Sequence, residues 1–120
     1  MANKILIVED NPANMELFSD LLAAEGHTIL KAINGREGLD AAKSNLPDLI
    51  LLDPGLPDIK GVALIREFKK ALGERDTPLI LCSASVLDEE KEEMLTAGGN
   101  GFIGKPIDTR EFPKTIAKFL

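Results

Sequence analysis

Three runs of this chain are built from Ile, Leu and Val alone: Ile5-Leu6-Ile7-Val8, Leu49-Ile50-Leu51-Leu52 and Leu79-Ile80-Leu81. A strand with one face in water alternates apolar and polar residues. An unbroken apolar run is instead buried on both faces, which is the mark of a parallel sheet covered by helices on each side. Lys4–Val8, the weaker Thr28–Ala32, Leu49–Leu52, Leu79–Leu81 and the short Gly101–Ile103 read as five strands.

The segments between them change period. Met15, Phe18, Leu21 and Leu22 recur every three or four residues, with Glu16, Asp20 and Glu25 off that stripe, which predicts an amphipathic helix. Asn11 is suited to cap it, Pro12 to be its first residue and Gly26 to end it. A second helix is expected over Gly35–Ser44, before Pro47, and a third over Val62–Leu72, closed by Gly73. A fourth, Asp88–Ala97, opens with acids suited to the positive helix end and stops at Gly98-Gly99. The last holds Ile116, Phe119 and Leu120 as anchors. Pro113 predicts that this helix starts at Pro113, after a single turn over Asp108–Phe112. Strand and helix thus alternate five times, which means βαβ units with right-handed crossovers. No repeat, low-complexity stretch or linker interrupts the 120 residues, so 1–120 reads as one α/β domain.

Composition removes several functions. Twenty acids against 14 bases give a net charge of −6, opposite to the basic surface of a nucleic-acid binder. With five Phe and no Trp or Tyr, a base-stacking platform is not expected either. No apolar run approaches the ~20 residues of a membrane-spanning helix, so no membrane insertion is expected. The leading stretch Ile5–Val8 is too short for a secretory signal and ends in acids. A single cysteine, Cys82, allows no internal disulfide and no Cys-rich zinc site. A cytoplasmic protein is the expectation.

In an open parallel sheet, ligands bind beyond the carboxyl ends of the strands. The first strand ends in Glu9-Asp10, the third in Asp53 and the fourth in Cys82-Ser83-Ala84; Gly104-Lys105-Pro106 follows the fifth. Asp53 comes straight after four apolar residues, where an uncompensated carboxylate costs several kcal/mol. Lys105 offers one positive charge against three carboxylates. The excess of hard oxygen donors suits Mg²⁺.

Glu9-Asp10, Asp53, Ser83 and Lys105-Pro106 together resemble the signature of the receiver domain of two-component response regulators, at the family's spacing and over essentially the whole chain. That resemblance implies a flavodoxin-like, doubly wound (βα)5 sandwich with sheet order 2-1-3-4-5. It implies Asp53 as phosphoacceptor. Glu9 and Asp10 would hold Mg²⁺, Asp10 directly and Glu9 through water, with the Gly55 carbonyl as a further ligand. Ser83 would bond one phosphoryl oxygen and Lys105 another, and the Lys105–Pro106 peptide would be cis. Ser83 and Phe102 resemble the family's switch pair, acting on a surface made of the fourth helix, fifth strand and last helix, beginning near Ala84-Ser85. Gly61 matches a family glycine, Leu56 stands where methionine is common, and Ser83 replaces an equally common threonine.

The implied function is a phospho-switch. It receives a phosphoryl group from a histidine kinase or a histidine phosphotransfer protein and changes its protein contacts. Its only reactions would be transfer to its own Asp53 and loss of that group. A stand-alone single-domain member is expected; a receiver portion of a hybrid kinase or larger regulator is the alternative. A Mg-dependent phosphatase with an aspartyl nucleophile would need a second acid two residues on, where this chain has Gly55. A flavin binder would want a glycine- and hydroxyl-rich loop after the first strand, where Glu9-Asp10 stand.

The remaining candidates have plainer readings. His27 reads as a surface loop residue, Cys82 as a small buried hydrophobe, and Asp88–Glu93 as a solvated helix face. Gly98-Gly99-Asn100-Gly101 follows a helix and lacks phosphate-loop spacing, so it reads as a connector.

Overall fold

The computed structural model describes residues 3–84 and 87–120; Ser85, at the start of the expected output surface, lies outside them. Five strands alternate with five helices: β1 Lys4–Val8, α1 Pro12–Ala24, β2 Thr28–Ala32, α2 Gly35–Asn45, β3 Leu49–Leu52, α3 Gly61–Leu72, β4 Leu79–Ser83, α4 Asp88–Ala97, β5 Gly101–Gly104 and α5 Glu111–Ala117. The strands form one sheet in the order β2-β1-β3-β4-β5, with every pairing parallel. No described helix is long and apolar enough to cross a membrane.

The central strands are buried on both faces because each face carries its own helical layer. Side chains alternate along a strand. Leu6, Val8, Ile50, Leu52, Leu79 and Leu81 therefore pack with Leu39, Ala42, Leu64, Ile65, Phe68 and Met94 of α2, α3 and α4. Ile5, Ile7, Leu49, Leu51, Ile80 and Cys82 pack with Met15, Phe18, Leu22, Phe112 and Ile116 of α1 and α5. Phe18 and Phe112 stack at 5.3 Å and tie those two helices together. The α2 layer comes very close to the sheet. A Cβ on Gly38 would meet both Val8 methyls at 2.9 Å, so only glycine fits there.

The helix starts follow from local chemistry. Asn11 caps α1 by accepting the Asn14 N–H at 3.0 Å, and Pro12 takes the first helical position. Asn34 caps α2 through the Glu37 N–H at 2.8 Å. α5 corrects the sequence expectation: it begins at Glu111, not at Pro113. The Asp108 carboxylate accepts the Arg110 and Glu111 N–H groups at 2.9 and 3.2 Å and starts the helix two residues earlier. Pro113 then falls in the first turn, where backbone N–H groups have no partner within the helix, so its missing donor costs nothing. The second and third helices each extend one residue beyond expectation, to Asn45 and from Gly61. β4 and β5 run on to Ser83 and Gly104.

Candidate functional site

Strand alternation brings the chemistry together. Ile7, Leu51 and Ile103 face the α1/α5 layer, so residues two further on continue that face: Glu9, Asp53 and Lys105. The ladder carries on past the strand ends and keeps them level. The Glu9 N–H donates to the Ala32 carbonyl at 3.0 Å, Asp53 N–H to Val8 at 3.0 Å, and Lys105 N–H to Ser83 at 2.9 Å.

The Lys105 ammonium bridges two of the acids, at 2.6 Å from Glu9 Oε1 and 2.9 Å from Asp53 Oδ2. The free oxygen of each acid takes a backbone donor. Glu9 Oε2 accepts the Asn11 N–H at 3.2 Å, and Asp53 Oδ1 accepts the Gly55 N–H at 2.7 Å. The Glu9 side chain is 2% exposed, against 14% for Asp53 and 13% for Lys105. Glu9 is thus the inner wall, while Asp53 and Lys105 can be reached from solvent. Asp10 is exposed beside them, and oxygens of Glu9, Asp10 and Asp53 lie within 4.8 Å of one another.

Burial pushes the Glu9 carboxyl above the ordinary carboxylate range, against the pull of Lys105 and the Asn11 amide. Burial also works against the charge on Lys105, but its bonds to Glu9 and Asp53 outweigh that and raise its pKa. The ammonium is therefore a fixed positive charge facing Asp53. One cation against three carboxylates leaves an excess of hard oxygen donors, a set that fits Mg²⁺.

The other expected site residues lie around this centre. Ser83 ends β4, half-buried, with its carbonyl bonded to Lys105. Gly55 holds Asp53 through its N–H, and the Lys105–Pro106 peptide is cis. Phe102 is half-buried on β5 on the α4 side of the sheet, with the Lys91 ammonium 5.1 Å from its ring centre. The remaining candidates add no reactive group to this chemistry, although Cys82 lies near enough to feel the charges of Lys105, Glu9 and Asp53. His27 precedes β2, at the opposite end of the strands. Cys82 is buried, and burial pushes its thiol up to about 12, which leaves it without nucleophilic character. Asp88 to Glu93 are all exposed.

Three contacts near the site escaped the sequence reading. Asn34 carried a usable signal, a cap-forming residue directly before a helix. The Asp58 carboxylate bonds the first residues of α2, and Lys91 covers Phe102; both contacts join separate elements and leave no local pattern.

Comparison with known proteins identifies the family and the fold. The family described as the response regulator receiver domain matches residues 5–117. The polar-differentiation response regulator DivK of Brucella anthropi is 37% identical over 120 residues, covering all of this chain and 98% of that protein. The solved structure of the chemotaxis protein CheY4 of Vibrio cholerae superposes with a TM-score of 0.92 at 25% identity, over 100% of both chains. The receiver domain of a sensor histidine kinase of Pseudomonas aeruginosa superposes with a TM-score of 0.87 at 28% identity, over 99% of this chain and 98% of that one; its structure holds a magnesium ion coordinated in the active-site cleft. Sequence, strand order and overall shape converge on one assignment: this chain belongs to the response regulator receiver domain family, the phosphoacceptor switches of two-component signalling.

Proposed function

We propose that Asp53 accepts a phosphoryl group from a histidine kinase or histidine phosphotransfer protein, and that the acyl phosphate so formed changes the domain's protein contacts. The observation that carries this reading is the Lys105 ammonium bonded to both Glu9 and Asp53 at the strand ends, with Asp10 beside them. Glu9, Asp10, Asp53 and the Gly55 carbonyl would hold Mg²⁺. When bound, the ion offsets the repulsion between the carboxylate and the incoming phosphoryl oxygens.

The chain's own groups then do the positioning, which is most of what phosphoryl transfer requires. One Asp53 carboxylate oxygen forms the bond to phosphorus. The bond from phosphorus to the donor atom breaks, and that atom keeps the electron pair. Lys105, held protonated by its two acidic neighbours, pairs with one phosphoryl oxygen of the product. Ser83 donates its hydroxyl to another, and Phe102 responds to that movement. Water later cleaves the acyl phosphate and returns the Asp53 carboxylate and inorganic phosphate. No separate substrate is turned over. The signal leaves through α4, β5 and α5, and the domain acts in the cytoplasm.

Incubation with acetyl phosphate and Mg²⁺ is expected to add one phosphoryl group, read by intact-protein mass. Asp53→Asn should abolish the gain. Equal labelling of that variant would overturn the assignment.

A further inference from the structure

The loop between β3 and α3 holds Asp53 at one end and Gly61 at the other. It closes on itself where the Gly61 N–H donates to the Pro54 carbonyl at 2.7 Å, and Leu56 anchors it in the core. Asp58, at its exposed side, bonds out of the loop. Its Oδ1 accepts the Gly35 N–H at 2.8 Å and the Ile59 N–H at 3.0 Å, and its Oδ2 accepts the Arg36 N–H at 3.0 Å.

Gly35 and Arg36 open α2, so their N–H groups have no partner within the helix. Asn34 serves only the next one, Glu37. The approach is close. A Cβ on Gly35 would meet Leu64 Cδ1 at 3.0 Å and Asp58 Oδ1 at 3.1 Å. One turn further on, Gly38 rests against Val8, the residue directly before Glu9 and Asp10. A continuous set of contacts therefore runs from the segment holding Asp53 and Gly55, through Asp58, into α2. From there it passes through Gly38 to the strand that holds Glu9 and Asp10.

We propose that Asp58 is a positioning residue for the cation site: its bonds to α2 fix the Asp53–Gly55 segment relative to Glu9 and Asp10. This rests on the reading of Glu9, Asp10, Asp53 and the Gly55 carbonyl as Mg²⁺ ligands. A carboxylate that merely capped α2 would act on stability and leave metal affinity alone.

Titrating Mg²⁺ into the purified chain, followed by backbone amide shifts in NMR, separates the two. Asp58→Ala should raise the Mg²⁺ dissociation constant about tenfold, the lower end of what groups orienting metal ligands contribute. Asp58→Asn keeps an accepting oxygen and should fall between that variant and the parent; should Asp58→Ala not fold, it carries the same criterion. Asn34→Ala removes a bond from the same helix end without touching the loop. It should lower the thermal midpoint and leave Mg²⁺ affinity at the parent value. Unchanged affinity in the Asp58 variants, or an equal loss in Asn34→Ala, would overturn the proposal while leaving the ligand assignment standing. A parent chain that gives no Mg²⁺ response, or an Asp53→Asn variant that binds as well as the parent, would overturn the ligand assignment and this proposal with it.

Discussion

Helices α2 and α4 flank α3 on the same face of the sheet, yet they are held in opposite ways. α2 buries Gly35, Gly38, Leu39 and Ala42, and both its ends are tied to loops that flank α3. Asp58 bonds its first N–H groups, and the Arg75 guanidinium reaches the Leu46 and Pro47 carbonyls at 3.4 Å just past its last turn. An acid at the N-terminus and a cation at the C-terminus both match the helix dipole. Among the described residues, α4 buries Met94 alone and has no side-chain cap. Its acids, Asp88, Glu89, Glu90, Glu92 and Glu93, face solvent, and Lys91 lies over Phe102. The contrast divides the labour of the domain. On the proposed reading, the α2 side holds the site's frame still, whereas α4, with one buried residue among those described, would shift at small cost when Phe102 moves.

The largest expected effect tests that contrast through burial. Leu39→Ala in α2 removes a side chain that is 2% exposed and should cost about 2–5 kcal/mol in urea unfolding. Leu95→Ala in α4 removes a half-buried one and should stay nearer about 1 kcal/mol. Equal losses would break the comparison.

A smaller effect comes from Asp58. The backbone N–H groups of Arg36 and Gly35 stabilise its charged form and hold its carboxyl below the ordinary carboxylate range. A pKa lowered on folding adds stability above the unfolded value, and that stability is lost as pH falls through the folded value. The parent should therefore be more stable than Asp58→Asn at neutral pH, and the gap should close as pH drops below ~4. A gap that persists to the lowest pH would mean the charge on Asp58 does not clamp α2.

Smallest is Lys91→Ala. An exposed cation–π contact is worth about 0.5–1 kcal/mol, so global stability should barely change. The Phe102 ring resonances should shift all the same. A loss of several kcal/mol would show α4 to be held far more firmly than its burial implies.

Particular residues show what was legible in advance. Leu49–Leu52 announces a strand buried on both faces, because it is only four residues long and Pro47 and Pro54 bound it, whereas the equally apolar Val62–Ile65 sits inside a longer helical pattern. The site follows from the same logic. Carboxylates and a lysine directly after such strands converge once alternation and register are applied, and the bonds from Lys105 to Glu9 and Asp53 realise that convergence. Pro113 misled because its penalty depends on where the helix begins, and the Asp108 carboxylate sets that point. Asp58 was invisible for a different reason. Its partners lie 22 and 23 residues away, and only the packed layers bring them together. The contact of Gly38 with Val8 likewise depends on the distance between layers, which no local pattern encodes.

A change at Asp53 is expected to be felt at α4 while α2 stays put. Adding beryllium fluoride, a phosphoryl mimic, with Mg²⁺ and mapping backbone amide shifts by NMR tests it directly. The shifts are predicted to cluster at the site, between Ser83 and Phe102 and in α5, with α2 nearly silent. Ser83→Ala should shrink the remote shifts and spare those at Glu9, Asp10 and Asp53. Shifts confined to the metal site, or largest in α2, would contradict this division between the two helices.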